Sequence, residues 1–209
     1  MSKVTEFARI KLKPGYDVEK LRHSLLSVLD LQDNWVAANQ PSNHRPGAHV
    51  SAFYVDTTTE QRPLIITARW ESREDHHEWI ASSENHTCNT ALSEFQTTEG
   101  SDIVLLFHMM AAGAGAPQLA DANLRGPLML HRIAATESHK ERLAIEYRKL
   151  EDKWTNPREY SIWAGWKLER TAYTGQLFVF TTSAVAETDL RPLLDLATDV
   201  QVHQLEQIL

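Results

Sequence analysis

The stretch of sequence that decides the fold is RWESREDHHEWIASSENHTCN, which runs from Arg69 to Asn89. It follows an apolar run. Ser72 stands three residues before Asp75, the spacing of a capping box, in which a serine side chain closes the first turn of a helix. We therefore predict a strand that ends at Trp70 and a helix that starts near Arg73.

Outward from this junction, the first half of the chain has the element order βαββαβ, which is typical of a ferredoxin-like unit. The strand VTEFARIKL precedes a Pro14-Gly15 turn and a helix whose N-cap is Asp17. A long polar loop, QDNWVAANQPSNHRPG, leads to the strand AHVSAFYVD, and PLIITARW runs into the junction. SDIVLLFHM supplies the fourth strand.

The composition changes in MMAAGAGAPQLADANLRGP, from which we predict a linker over residues 111–126. A first ferredoxin-like unit then occupies residues 1–110, and a second, diverged unit occupies residues 127–209. The second half repeats the element order. Its tail, DVQVHQLEQIL, suits either a strand or a helix, and we favour a strand because the repeat needs a fourth one.

The fourth strand is apolar on both faces, with Ile103, Leu105 and Phe107 on one and Val104 and Leu106 on the other. A sheet with helices on one side only would alternate between apolar and polar residues. We therefore predict that both faces are covered. The expected fold class is α+β, with two ferredoxin-like units packed sheet to sheet as an intramolecular α+β barrel around a cavity.

Composition argues against several classes of function. The net charge of −7 gives no support for nucleic-acid binding. No apolar run approaches the roughly 20 residues of a membrane span, and no secretory signal is evident. The single cysteine, Cys88, cannot form an internal disulfide. We expect a cytoplasmic monomer with an internal pseudo-dimer, which could itself form a homodimer, and neither a nucleic-acid nor a membrane partner.

The histidines of the opening stretch do not have the spacing of a metal site. His76 and His77 are adjacent, so they point about 100° apart on a helix. A zinc-binding HExxH motif needs a second histidine where Ala81 stands. We predict no metal and no other cofactor, and we interpret the stretch as a capped amphipathic helix with half-exposed histidines.

A strand ending in Trp-Glu-Ser, followed by a helix with WIASSENH, resembles the antibiotic biosynthesis monooxygenase (ABM) group of the dimeric α+β barrel superfamily, as does EFARIKLKPG near the start. The resemblance covers roughly residues 3–110. Because members of the superfamily pair two units as a homodimer, it implies that this chain is a tandem fusion. The haem-degrading branch has an Asn on the first strand and a His on the second helix, where this chain has Ala8 and Asn89, although Trp79 matches. The resemblance therefore implies a monooxygenase-like activity without haem degradation.

Polar residues on the strands are the candidates for a site. Ala8 and Ile10 suit the helix side of the first strand, so Phe7 and Arg9 should face the cavity, as should Arg69 on the third strand. Arg9 and Arg69 could together hold a carboxylate or an enolate. They could equally pair with Glu6 or another carboxylate.

Histidines supply the candidate bases, because the ordinary histidine pKa lies near neutrality. His108 and His131 interrupt apolar strands, and His49 begins a strand after the polar loop, which could act as a lid. Each could instead be a structural, hydrogen-bonded histidine, and the loop could be a plain surface loop. The predicted catalytic residues are His108, His131 and His49, and the predicted substrate-binding residues are Arg9, Arg69, Phe7, Trp35, Tyr54 and Trp163.

We expect an enzyme of secondary metabolism that acts without a cofactor on a small aromatic or polyketide-like substrate, by oxygenation, cyclisation or isomerisation. The alternative is a non-catalytic barrel that binds a ligand or serves in stress response. A third hypothesis is haem binding through His86 or His76. A pocket of about 300 Å³ or more, with one of the candidate histidines in its wall, would favour the enzyme.

Overall fold

The protein divides into two compact units in the computed structural model. The first unit contains the chain up to Leu106 together with residues 207–209, and the second unit contains Phe107–Glu206. Strand β4 therefore begins in one unit and ends in the other. The structure describes residues 2–99, 103–124, 126–156, 159–169 and 174–209.

The described residues of the first unit form four strands, the last of which continues into the second unit, and three helices. Asp17 caps the first helix by accepting a hydrogen bond from the Lys20 backbone N–H at 3.0 Å, as predicted. β1 and β2 both pair antiparallel with β3, and the Lys11 N–H donates to the Ile103 carbonyl beside β1. The elements are β1 Val4–Ile10, α1 Val18–Asn39, β2 Ser51–Asp56, β3 Leu64–Trp70, α2 Arg73–Ile80, α3 Ser83–Ser93 and β4 Val104–Ala111.

The second unit has the same plan. β5 pairs antiparallel with both β9 and β10, and β8 pairs with β9 and with the end of β4. Helices α5 and α6 bury Leu143, Tyr147 and Leu190 against the strands. The elements are α4 Leu119–Ala122, β5 Leu128–Thr136, α5 Glu137–Trp154, β6 Thr155–Asn156, β7 Glu159–Tyr160, β8 Ile162–Lys167, β9 Thr174–Thr182, α6 Glu187–Leu194 and β10 Asp199–Gln207.

The predicted α+β barrel fold class is confirmed. Within the first unit the strands follow the hydrogen-bonded order β1-β3-β2, and within the second unit they follow the order β10-β5-β9-β8. The choice of a strand for the C-terminal tail is also confirmed, because Asp199–Gln207 forms β10.

The polar loop predicted after the first helix is wrong over its first half, because α1 continues to Asn39. Gln32 and Val36 are buried. They continue the inner face of the helix, on which a buried residue recurs at every third or fourth position. No proline or glycine interrupts the run before Pro41, which favours an extended backbone at the residue before it. Trp35 therefore lies on a helix and not in a lid loop.

The prediction that both faces of the fourth strand are covered is wrong for its first half. Val104, Leu105 and Leu106 are 49%, 39% and 40% exposed. Only from Phe107 to Met109 are the residues of this strand buried. Val104 and Leu106 line a pocket described below, which leaves their face of the strand open.

The segment whose composition suggests a linker contains closely packed residues. Ala116 and Leu119 are buried, and the Trp163 indole N–H donates to the Ala116 carbonyl at 3.0 Å. The Glu151 carboxylate, also buried, accepts a hydrogen bond from the Ala114 N–H at 2.9 Å. The small residues of this segment thus let its backbone approach a buried glutamate closely.

Candidate functional site

The helix-covered face of the first unit's sheet contains a pocket of about 340 Å³, which we call the first-unit pocket. Glu6, Ala8 and Ile10 of β1 line it, because alternate residues of a strand share one face. His76 and Trp79 of α2 face them. The prediction that Ala8 and Ile10 lie on the helix side is therefore confirmed.

A buried carboxylate–imidazole pair forms part of the pocket wall. The Nε2 atom of His76 lies 3.0 Å from Oε2 of Glu6, and the Trp70 indole N–H donates to the same oxygen at 2.9 Å. Glu6 is 7% exposed and His76 is 1% exposed. The Trp70 and His76 rings stack, with centroids 4.9 Å apart. Glu6 therefore meets two nitrogens whose positions are fixed by the stacking.

The junction between β3 and α2 places this pair. The Ser72 hydroxyl accepts a hydrogen bond from the Asp75 N–H at 3.1 Å, which starts α2 directly after Trp70. His76 thus falls in the first turn and on the same inner face as Trp79, three residues later. The prediction of half-exposed histidines is wrong for His76, because that face is buried, whereas His77 is exposed.

The rest of the pocket carries neutral polar groups. On α3, the Asn89 amide donates to the Asn85 side-chain oxygen at 2.8 Å. The Ser51 hydroxyl donates to the Gln32 side-chain oxygen at 2.5 Å. Burial raises the pKa of the Cys88 thiol to about 11, so it stays protonated at neutral pH. These groups can form hydrogen bonds to a ligand but carry no charge, so Glu6 is the pocket's acidic group.

The arginines predicted to bind substrate lie on β1 and β3 but not next to each other. Arg69 stands opposite Thr5 and Arg9 stands opposite Ile65, so they are four strand positions apart, or about 14 Å. Phe7 and Arg9 alternate with the pocket-lining residues of β1 and so face away from the first-unit pocket. The predicted pairing of the two arginines on one ligand group therefore has no support in the register.

Arg69 is 2% exposed, and its guanidinium donates to backbone carbonyls of the loop before β2. The acceptors are the carbonyl oxygens of His49, Asn43 and Ala48. Bonds to three carbonyls of one loop fix its course, and we therefore assign Arg69 a structural role in holding this loop.

The three predicted catalytic histidines do not line the first-unit pocket. The Nδ1 atom of His49 lies 2.6 Å from Oδ2 of Asp33, and its side chain is 58% exposed. His108 is buried and pairs twice with Glu169: its Nδ1 lies 2.7 Å from Oε1, and its backbone N–H donates to Oε2 at 2.8 Å. His131 lines a separate pocket in the second unit.

The remaining predicted residues are packed. Burial raises the pKa of Tyr54, although a hydrogen bond with Thr67 lowers it in part. Trp163 is buried and makes the hydrogen bond to Ala116 given above. The Trp35 ring lies 5.3 Å from that of Trp79, which itself lines the first-unit pocket, so Trp35 supports the pocket wall from behind.

The sequence analysis names Glu6 only as a possible partner of the arginines and predicts a half-exposed His76, so it does not place the two residues together in a site. One signal was available. Glu6 has the same strand phase as Ala8 and Ile10, which were assigned to the buried face, and a buried carboxylate requires a partner. Which residue supplies that partner could not be read from the sequence, because it lies 70 positions away.

Among the described residues, no group of three or more His, Cys, Asp or Glu side chains is placed to hold a metal ion. Within the same residues, no helix has both the length and the apolar character of a membrane span.

Comparison with known proteins identifies the fold but not the family. No family model and no curated protein matches the chain. A candidate monooxygenase from Fusobacterium nucleatum shares the fold at a TM-score of 0.65 and 6% identity, over 100% of this chain and 93% of that one. An anthrone oxidase-like protein shares it at a TM-score of 0.55 and 8% identity, over 98% of this chain and 90% of that one. A candidate chlorite dismutase shares it at a TM-score of 0.56 and 10% identity, over 100% of this chain and 96% of that one.

Proposed function

We propose that the first-unit pocket is the active site of a small-molecule enzyme that oxygenates an aromatic or polyketide-like substrate without a metal, haem or flavin. The observation that carries the proposal is the buried Glu6–His76 pair in the wall of an otherwise uncharged pocket. Perturbed or buried titratable pairs in a cleft are frequent at catalytic sites.

The size and the lining of the pocket fit such a substrate. Ligand pockets usually span about 300–1,000 Å³, are mostly apolar and hold a few placed polar groups. The first-unit pocket has about 340 Å³, with Ile10, Phe53 and Leu92 among its apolar residues. A fused aromatic ring system can fill this space, and the amides of Asn85 and Asn89 can bind its oxygen atoms.

The pair can move a proton. A substrate with an acidic CH₂ group conjugated with a carbonyl group would give one of its two protons to the Glu6–His76 pair, and the negative carboxylate would stabilise the imidazolium that forms. Amide N–H groups of α3 would stabilise the enolate oxygen. The substrate carbanion would then add to O₂, and the proton held by the pair would convert the resulting peroxide anion to a hydroperoxide at the same carbon. Loss of water leaves a ketone, so one oxygen atom enters the product and the other leaves as water.

The fold comparisons guide the choice among reactions. A candidate monooxygenase and an anthrone oxidase-like protein have this fold, which supports oxygenation over the cyclisation and isomerisation that the sequence also allows. They also suggest anthrone as a first substrate to test, because its central carbon is acidic and its oxygenation needs no second substrate besides O₂.

The test is oxygen consumption by the purified chain with anthrone, with the quinone product measured by absorbance. His76→Gln should lower kcat/KM about 100-fold or more, the usual contribution of a general base. His77→Gln is the matched control: it changes the neighbouring, exposed residue of the same helix and should leave the rate unchanged. A His76→Gln variant as active as the wild type would refute the proposed role of the pair.

A non-catalytic binding protein is the second candidate, and one observation favours it. Oε2 of Glu6 already accepts hydrogen bonds from both Trp70 and His76, an arrangement that would also serve simply to hold α2 on the sheet. In that case anthrone would bind and quench tryptophan fluorescence, but no O₂ would be consumed.

Haem binding is the third candidate, supported by the shared fold of a candidate chlorite dismutase. The residues fit it poorly, because Nε2 of His76 is held by Glu6 and His86 is exposed and does not line the first-unit pocket. We expect added haemin to show no shift of its Soret band. A saturable shift that is lost in His86→Ala would instead support haem binding.

A further inference from the structure

The second unit contains a pocket that the proposed function does not use, which we call the second-unit pocket. It has a volume of about 230 Å³ and lies between β5, β9 and α6. An apolar cavity of about 150 Å³ is enough to hold benzene. The second-unit pocket therefore has room for one substituted ring. Its apolar lining consists of Met129, Val185, Leu190, Leu194 and Val202.

One polar atom in this lining lacks a partner. His131 is 6% exposed, and its Nδ1 makes no hydrogen bond within the described part of the chain. A buried polar atom left without a hydrogen bond destabilises the folded state. A ligand that supplied the missing hydrogen bond from inside the pocket would remove this cost on binding.

The charges around His131 indicate what kind of ligand it would accept. Burial lowers the pKa of His131, and the negative charge of Glu187 offsets only part of this effect. The ring is therefore neutral at pH 7, with one donor and one acceptor nitrogen. A hydroxyl group both donates and accepts, so it can pair with Nδ1 in either tautomer. Glu187 also lines the pocket and would repel an anionic ligand.

We propose that the second-unit pocket is a binding site for a small neutral phenol, whose ring contacts the apolar lining and whose hydroxyl bonds to Nδ1 of His131. Val202 is 41% exposed and lines the pocket, so a ligand has a route from solvent. The proposal is independent of the activity of the first-unit pocket, since the two share no residue.

Phenol and toluene provide the test, because they have nearly the same shape and differ in the hydroxyl. Each is titrated into the full chain carrying ¹⁵N-labelled histidine, and binding is followed by NMR. Phenol should bind about tenfold more tightly than toluene, because toluene leaves Nδ1 without a partner. The Nδ1 resonance of His131 should shift saturably with phenol.

Replacing the histidine should remove the preference. In His131→Leu, phenol and toluene should bind with equal affinity, whereas His23→Leu, which changes an exposed histidine on α1, should keep the tenfold difference. The proposal is overturned by equal affinities in the wild type, by no saturable binding, or by a preference that survives in His131→Leu. Should that variant fail to fold, the wild-type Nδ1 resonance decides: if it does not move with phenol, the proposal is wrong.

Discussion

At the scale of single residues, one buried carboxylate connects the fold to the candidate site. Burying Glu6 without a partner would cost several kcal/mol. Its partners, Trp70 and His76, stand on either side of the β3–α2 junction, six residues apart. The capped junction that defines the element order therefore also brings both partners to the carboxylate. A further role for His76 in proton transfer requires that the Glu6–His76 pair also contacts the substrate.

A second buried glutamate explains two glycines, Gly113 and Gly115, of the segment between β4 and β5. A methyl group on Gly113 would overlap the carboxylate of Glu151, whereas one on Gly115 would lie 3.1 Å from the same carboxylate. We predict that Gly113→Ala lowers the free energy of unfolding by about 1–3 kcal/mol, the usual cost of overpacking. Urea denaturation followed by tryptophan fluorescence measures this loss.

Gly115→Ala is the matched control, because it adds the same methyl group two residues away. Its cost should be clearly smaller, since a shift of a few tenths of an ångström by Glu151 or Tyr160 relieves the contact. Equal stabilities for the two variants would show that the close approach of Gly113 to Glu151 does not govern this segment.

At the scale of elements, the sequence predicts what local signals determine. The caps at Asp17 and Ser72 are read correctly, because a side-chain oxygen and a backbone N–H three residues later suffice to define them. The second half of α1 is missed, because its Asp and Asn residues are more typical of caps and turns than of helix interiors. The burial of Val36 in the folded protein stabilises this part of the helix, and the sequence does not show what Val36 contacts.

The pair between His108 of β4 and Glu169, two positions after the end of β8, should make stability depend on pH. Burial raises the pKa of Glu169, but hydrogen bonds from the ring and the backbone N–H of His108 lower it by more than burial raises it. The pKa of Glu169 therefore lies below its ordinary value. A carboxyl group with a lowered folded-state pKa stabilises the protein above its unfolded-state pKa. That contribution is lost as the pH falls through the folded-state value.

We therefore expect Glu169→Gln to lower the melting temperature at pH 6–7 and to have progressively less effect as the pH is lowered below about 4.3, the ordinary glutamate value. Thermal melts of both proteins from pH 7 to pH 3 test this. Glu146→Gln, which removes an exposed helical ion pair with Lys149, should show little effect at any pH. A Glu169→Gln effect that stays constant across the range would contradict the expectation.

At the scale of the whole molecule, the sequence predicts the repeated βαββαβ plan but not where chemistry could occur. The plan follows from the order of periodic segments, and each is visible locally. The site search on the sequence chose the face of β1 with Phe7 and Arg9, because those residues are conspicuous there. The first-unit pocket lies on the opposite face, where Glu6 is bound by residues about 70 positions away. Long-range pairing of this kind is the part of the site that a single sequence leaves open.

Each unit has its own pocket on its own sheet, so a change at one pocket should leave the other unaffected. Leu106 and Leu105 are adjacent and equally exposed, at 40% and 39%, but only Leu106 lines the first-unit pocket. Leu106→Trp should narrow that pocket and lower kcat/KM for anthrone about tenfold, because displaced substrate meets the Glu6–His76 pair in a poorer geometry. Leu105→Trp should leave turnover unchanged, and neither variant should alter the affinity of the second-unit pocket for phenol. Steady-state kinetics and the phenol titration measure both effects, and equal losses of turnover in the two variants would mean that the first-unit pocket does not hold the substrate.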